Sequence, residues 1–443
     1  MVERAGPGQI DWPERRGLIR DCLATWLLHL LAATAGLRFV VQLGYVQVSP
    51  FSDLGYFERY AAQVVRGMIP YRDFAIEYPP LAAPLFVAPK VAAGLLGGSL
   101  DPFAAYVLAF AAQMMLVDAV LVGLVAIWGG GAGERRRRLA WYSAYFVVLC
   151  PLVVARFDLV PALAAFAAAV LLTRGRPGWG GAVAGLGVLV KIVPGVVAVP
   201  LLAGAATFGT KAGAAKGLVA VVGAGMLAWF ALGGAMVLDT FHFHADRGIE
   251  LNSTYASAFM IAREALGATI RASFDHNTVG VAGPGSPLVG RASVFVQLAC
   301  LGLVGWAARR RLEPGSLDLA GAAVLAFILG GKVLSPQFMI WLIPFVAATG
   351  TGRRIFLACC VLTTATYPWL HVDLCAFRRP AEAALVARNL ALVWLFAVQL
   401  RAGPRGTGSP PGPRAGDPLE STARPQGTPR LARWIRRGPD QSH

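Results

Sequence analysis

The sequence predicts an all-α polytopic membrane protein, a bundle of about 12 transmembrane helices with two large outward loops that carry interfacial helices. Three observations predict it. Hydrophobic residues fill 56% of the 443 positions and charged residues only 14%, where a soluble domain carries roughly 25%. The apolar residues, with a mean hydropathy of +0.59, fall in blocks near the 17–25 residues that a bilayer-crossing helix requires. The arginines stand in short runs between those blocks.

Spans are expected near 22–43, 103–128, 139–155, 158–173, 179–190, 194–208, 215–238, 291–308, 317–331, 337–350, 355–371 and 383–401. The first block is longer than the apolar region of a signal peptide and many spans follow it, so it reads as a retained anchor. The pair around Lys191 reads either as two thin helices or as one helix bent at Pro194, because proline breaks the local hydrogen-bond ladder. Segment 81–98 is apolar but holds Pro84, Pro89 and Lys90. It is expected to be an interfacial helix, since counting it as a span would reverse every later loop.

The formal charge is +16, which in a soluble protein would suggest nucleic acid. No nucleic-acid partner is expected here, because the basic runs are explained by topology and by anionic membrane lipids. With the chosen spans, Arg135 to Arg138, Arg174, Arg176, Lys211, Lys216, Arg309 to Arg311, Arg353 and Arg354 share one side. Only Arg156, Lys191, Lys332, Arg378 and Arg379 fall in short loops on the other. That bias predicts cytoplasmic termini: an N-terminus at 1–21, a transmembrane domain at 22–401, and a tail at 402–443. The tail is rich in Pro, Gly, Arg and Ser and is expected to be disordered, its LARWIRR end able to touch anionic lipid. Segments 44–102 and 239–290 then face outward. The six cysteines show no metal-ligand spacing and read as small hydrophobes.

Most of the remaining polar chemistry lies on the outward side. The stretch SPFSDLGYFERYAAQVVRGMIPYRDFAIEYPPLA carries Asp53, Glu58, Asp73 and Glu77 among aromatics. Residues 53–66 have helical spacing, with Leu54, Phe57, Ala61, Val64 and Val65 as the apolar set and Ser52 as N-cap. Pro79-Pro80 forces Tyr78 into an extended conformation. Arg156 and Asp158 in ARFDLVP, Lys191 in VLVKIVPG, Lys332 to Gln337 in GKVLSPQF, and His242, His244, Asp246, Arg247 and Glu250 complete the outward set, followed by His371 and Asp373. A charge beside an apolar span costs at least ~2.5–3.5 kcal/mol if it enters the bilayer centre, so these groups are expected to pair or to line a wet cavity. Cations gathered about a carboxylate at a membrane surface suit an anionic lipid substrate. One carboxylate accepting a hydroxyl proton, with cations balancing a leaving phosphate, needs no general acid, unlike the two carboxylates of a glycosidase.

The order SDLGYFERYAAQVVRGMIPYRDFAIEYPPLA, RFDLVPALAAF, GLGVLVKIVPGVVAVPLL and KVLSPQFMIWLIP resembles glycosyltransferase family 87, over roughly residues 20–400. These are polyprenyl-phosphate-mannose-dependent mannosyltransferases of the C-type glycosyltransferase superfamily, typical of actinobacteria. The resemblance implies a multi-pass protein of the bacterial inner membrane with an extracytoplasmic active site. It implies inverting transfer from a polyprenyl-phosphate-sugar donor to a glycolipid or glycan acceptor, without a cofactor. It places the base that deprotonates the acceptor at Asp53. Arg156, Lys191 and Lys332 are then the candidates for the phosphate, His242 and His244 its helpers, and Glu77, Tyr78 and Gln337 candidates for holding the loop or the sugar.

Simpler roles stand beside these. Asp53 also suits a helix start, where the dipole favours an acid by ~0.3–1 kcal/mol. Lys191 also suits a snorkelling side chain, and Glu77 a loop-fastening ion pair. The His242-x-His244 pair is expected to be polar surface and not a metal site. Asp118, expected mid-span, suits a helix-packing hydrogen bond better than a proton relay. Asn252-Ser253-Thr254 is expected to match a glycosylation sequon by chance. A transporter or lipid-linked-sugar flippase is the competing class. Such proteins place ionisable groups on broken helices near the midplane, often within repeats that are not evident here.

Overall fold

The computed structural model describes residues 12–42, 53–95, 100–311 and 316–402. Among these the fold is helical but for one hairpin. Helix α1 (Trp12–Gln42) is followed by the short α2 (Leu54–Val65) and α3 (Ala82–Leu95), then by the long α4 (Pro102–Ala126) and α5 (Ala132–Ala155). Helices α6 (Leu159–Thr173) and α7 (Pro177–Val188) lead through a 3-10 segment, Val193–Ala198, into α8 (Val199–Ala203) and α9 (Phe208–Gly233). Next come α10 (Val237–Asp246), α11 (Thr254–Leu266), strands β1 (Arg271–Asp275) and β2 (Thr278–Ala282), and α12 (Ser286–Arg309). The chain continues with α13 (Leu317–Gly330), a 3-10 turn at Pro336–Phe338, α14 (Met339–Thr349), α15 (Arg353–Thr364), α16 (His371–Cys375) and α17 (Arg379–Arg401).

Among the described residues, six segments are long and apolar enough to cross a membrane: Glu14–Gln42, Pro102–Ala126, Ala132–Ala155, Phe208–Asp246, Ser286–Arg309 and Arg379–Arg401. The other six expected spans fall on α6, α7, α8, α13, α14 and α15, all shorter than the ~17 residues a lone crossing needs. Proline and glycine punctuate this region, at Pro177, Pro194, Pro200, Gly331 and Pro336, and packing compensates for length. Almost every residue of α13 and α14 is buried, as expected of helices apolar on all faces and sheathed by others. Leu23, Leu27 and Leu31 of α1, Val219 and Leu227 of α9, and Leu288, Phe295 and Leu298 of α12 are instead exposed, as a lipid-facing rim requires.

Four differences from the expected layout have local causes. Helix α1 starts at Trp12 and not near 22, because arginine is a good helix former and Arg15, Arg16 and Arg20 favour extending the helix. Val65 of the expected apolar set is exposed, while Leu54, Phe57 and Ala61 are fully buried. Asp53 is itself the residue flanking α2 and makes no side-chain cap; Ser52 and the residues from 403 lie outside the described ones. Finally, segment 239–290 contains an antiparallel hairpin in register Asp275↔Thr278. Its two-residue turn holds His276 and Asn277 at φ 48° and 56°, the left-handed pair that a tight hairpin needs. The hairpin joins Ile249 and Leu251, whose backbones bond Val281 and Val279, and a subsidiary core forms with Met260, Leu374 and Leu385.

Polar pairs staple the helices. Asp118 accepts from the Tyr142 hydroxyl at 2.8 Å and pairs with His29 Nδ1 at 2.7 Å, while His29 Nε2 meets Ser143 Oγ at 2.9 Å. This satisfied network ties α1, α4 and α5, so Asp118 has the packing role. Helices α7 and α9 meet through glycine: a Cβ on Gly181 would stand 2.0 Å from the Ala214 carbonyl oxygen, and one on Gly217 2.2 Å from that of Gly178. At one end of the bundle, arginines donate to the carbonyls that helix ends leave unpaired: Arg138 to Val125 and Ala126, and Arg174 to Ile127. Arg156 flanks the far end of α5, about 27 Å along the axis from Arg138 at 1.5 Å per residue. The arginine belt and the Arg156 region thus occupy opposite ends.

Candidate functional site

The site is assembled from chain segments far apart in sequence. Asp53 begins α2, whose Phe57 stacks on Phe86 of α3 with ring centres 4.3 Å apart. Phe157 completes this aromatic floor, edge-on to Phe57, Tyr78 and Phe86. Arg156 and Asp158 are its immediate chain neighbours, and each finds a partner of opposite charge. The Arg156 guanidinium pairs with the Asp53 carboxylate and reaches the Tyr367 hydroxyl at 3.4 Å. Asp158, 1% exposed, accepts from Lys191 Nζ and from Trp341 Nε1, each at 2.7 Å. The Lys191 ammonium also lies 4.9, 5.4 and 5.1 Å from the rings of Phe157, Phe338 and Trp341, where aromatic faces attract a cation.

Lys191 occupies its place because α7 stops at Val188 and the chain turns before the 3-10 segment. The chain is therefore two short helical pieces there, and the turn is where they part. The Leu81 N–H donates to the Leu189 carbonyl at 2.8 Å, which fastens the EYPP stretch beside the Lys191 turn. The same stretch is held by its backbone on the other side. The carbonyl of Ile76 accepts from Thr240, that of Tyr78 from the Tyr71 hydroxyl at 2.6 Å, and that of Glu77 meets His244 Nε2 at 2.8 Å. Glu77 is half-buried. Burial pushes its carboxyl above the usual range, against the pull of Arg247, Tyr78 and Lys191.

Lys332 donates to the Ala245 carbonyl at 2.6 Å and its own carbonyl accepts from Glu250 N–H at 3.0 Å. Lys332 thus braces the turn that carries Arg247, and its charge adjoins Asp246 and Arg247. Gln337 stands in the turn between Ser335, which meets Glu250 at 3.4 Å, and Phe338, which stacks on Trp341. His242 is exposed, and no group of three or more His, Cys, Asp or Glu converges among the described residues. Asn252 and Ser253 of the sequon are buried, Ser253 capping α11. Asp53, Arg156, Lys191, Glu77, Tyr78 and His244 are thus gathered, Lys332 and Gln337 brace the rim, and His242 stands apart.

Asp158 and Arg247, which belong to the outward polar set but carry no assigned role there, and Trp341 and Tyr367, which the sequence does not single out, complete the cluster. Asp158 carried a signal, being an acid bordered by apolar residues two places from Arg156. Trp341 and Tyr367 carried none, because aromatics inside apolar blocks look like any other packing.

Glu250 fastens this rim. It is 4% exposed and accepts from the Leu334 N–H at 2.8 Å. Burial raises its carboxyl above the ordinary 4.5, with Arg247 the main opposing influence. A carboxyl raised in the fold contributes stability that is fully present below 4.5 and lost as pH rises through its folded value. Thermal unfolding followed from pH 4 upward is therefore expected to show melting temperatures that fall in that window, and Glu250→Gln, which keeps an acceptor for Leu334, to flatten the slope. An unchanged slope in the variant would assign it to other groups.

The fold and site define a helical membrane protein with paired carboxylates and cations collected at one end of its bundle. A family model described as glycosyltransferase family 87 matches residues 76–336, more than half of the chain, and the chain belongs to that family. It is accordingly a membrane glycosyltransferase. The match spans Glu77, Tyr78, Arg156, Lys191, His242, His244 and Lys332; Asp53 and Gln337 lie outside it. No curated protein matches the chain.

Proposed function

We propose that this glycosyltransferase moves a hexose, mannose in this reading, from a polyprenyl-phosphate donor to a lipid or glycan acceptor on the extracytoplasmic face of the bacterial inner membrane. The observation that carries the reading is the pair of adjoining ion pairs, Asp53 with Arg156 and Asp158 with Lys191. In the reaction the acceptor oxygen attacks the anomeric carbon and its proton passes to Asp53. The bond from that carbon to the phosphate oxygen breaks, and the electron pair leaves on polyprenyl phosphate. Attack opposite the leaving group inverts the anomeric centre. The leaving phosphate gains charge as the bond breaks, so Arg156 and Lys191 hold it more strongly in the transition state than in the bound donor. Glu77, Tyr78 and His244 fix the loop against which the sugar is held, while Lys332 and Gln337 support its rim. Mannose follows from the family resemblance, and the side of the membrane from the distribution of basic residues.

The test is transfer itself. Purified protein in vesicles, given polyprenyl-phosphate-mannose radiolabelled in the sugar and an extract of native membrane lipids, is expected to yield a labelled, more polar product. A parallel reaction with a polyprenyl-phosphate-arabinose donor decides the sugar. Transfer directly from a nucleotide sugar, or none from either lipid-linked donor, would remove the proposal.

A further inference from the structure

Asp158 is a buried acid to which neither the family match nor the proposed chemistry gives a task. Its Oδ1 receives two N–H donors at once, from Lys191 and Trp341. The exposure of the ion pair is lopsided: the acid side chain is 1% exposed and the lysine side chain 16%. Lys191 is thus the more accessible partner of the pair, and Asp158 lies behind it. A buried ion pair roughly breaks even against well-packed apolar residues, so it is weak as a stabilising device. Arg156 lies close enough to Lys191 for the two cations to repel, and each is anchored to its own carboxylate across Phe157. Two cations held near one another suit a phosphate.

We propose that Asp158 is a positioning residue, which fixes the Lys191 ammonium within its three aromatic rings for contact with the phosphate of the lipid-linked donor. The proposal rests on the polyprenyl-phosphate reading above. Asp158 touches no reacting atom. It acts through Lys191, and Trp341 holds Asp158 in turn.

The experiment is equilibrium binding of radiolabelled polyprenyl phosphate to the detergent-purified full chain, a probe that needs no knowledge of sugar or acceptor. Asp158→Asn is expected to weaken binding by about tenfold or more, since truncating one partner of a buried charge pair loosens the other. Lys191→Met is expected to do the same. The double variant is expected to bind no more weakly than Lys191→Met alone, because Asp158 has no route to the ligand once Lys191 is gone. The double variant also leaves no unpaired buried charge, so it keeps the comparison available where Asp158→Asn misfolds. Trp341→Phe, which removes one donor from Asp158, is expected to weaken binding by about threefold to tenfold. Wild-type binding with Asp158→Asn unaltered, or losses that simply add in the double variant, would overturn the positioning role and leave the polyprenyl-phosphate reading standing. A wild type that binds no polyprenyl phosphate would overturn both.

Discussion

Asp53→Asn is expected to lower the rate of sugar transfer by about 10²–10⁴-fold, the range lost when a positioned general base is removed. The substitution keeps size and hydrogen-bonding capacity and removes only the ability to take a proton. It is expected to leave the fold intact, because Asp53 makes no helix-capping bond and its side chain is 24% exposed. Arg156 retains Tyr367 as a neighbour. Donor binding is therefore expected to change far less than turnover, and the loss to appear in kcat. Radiolabelled transfer in vesicles, with thermal unfolding of the purified variant as control, measures both. Undiminished turnover would show that another group takes the proton, and Glu77, another carboxylate of the same loop, would be replaced next.

The second large effect concerns packing. Gly181→Val and Gly217→Val are each expected to separate α7 from α9, because the new Cβ would overlap a backbone carbonyl oxygen at 2.0 or 2.2 Å. A backbone atom cannot rotate away as a side chain can. Overpacking of this kind costs about 1–3 kcal/mol or more, and in a membrane the close approach of small residues is itself the source of helix association. Gly223 of the same helix has no heavy atom within 4 Å of its added Cβ, so Gly223→Ala is the matched control and is expected to change stability by no more than about 1 kcal/mol. Melting temperatures in detergent report the difference. Transfer activity is expected to fall with them, since the end of α7 sets the turn that carries Lys191. Equal melting of Gly181→Val and wild type would show that the two helices are not held at this distance.

The sequence made the outer frame legible and the inner one only partly so. Lipid-facing helices such as α4 and α5 must be long and apolar, and both constraints are written locally. The short central helices answer to their neighbours, so their ends follow tertiary packing more than the thickness of a bilayer. The hairpin at 271–282 was missed because its His276-Asn277 turn departs from the usual Asn-Gly signature and its strands mix Ser, Gly and Asp with apolar residues. Within the site, charges were conspicuous because a charge among apolar residues demands an explanation. That is why Asp53, Arg156 and Lys191 stood out. Their pairing was not legible, since Asp158 and Lys191, or Asp53 and Arg156, are joined only by the path of the whole chain. Lys332 was conspicuous for the same reason, yet the structure spends it on a backbone carbonyl.

The sheathing of α13 has a consequence for how the protein is made. At 14 residues it measures about 21 Å, against a hydrocarbon layer of roughly 30 Å. Such a segment is not anchored by lipid when it leaves the translocon; it is retained only by protein around it. One wall of that enclosure, α17, is synthesised later, so the centre of the molecule closes after the rim has been threaded. A nascent chain that stops before residue 379 therefore leaves this apolar segment half-clad.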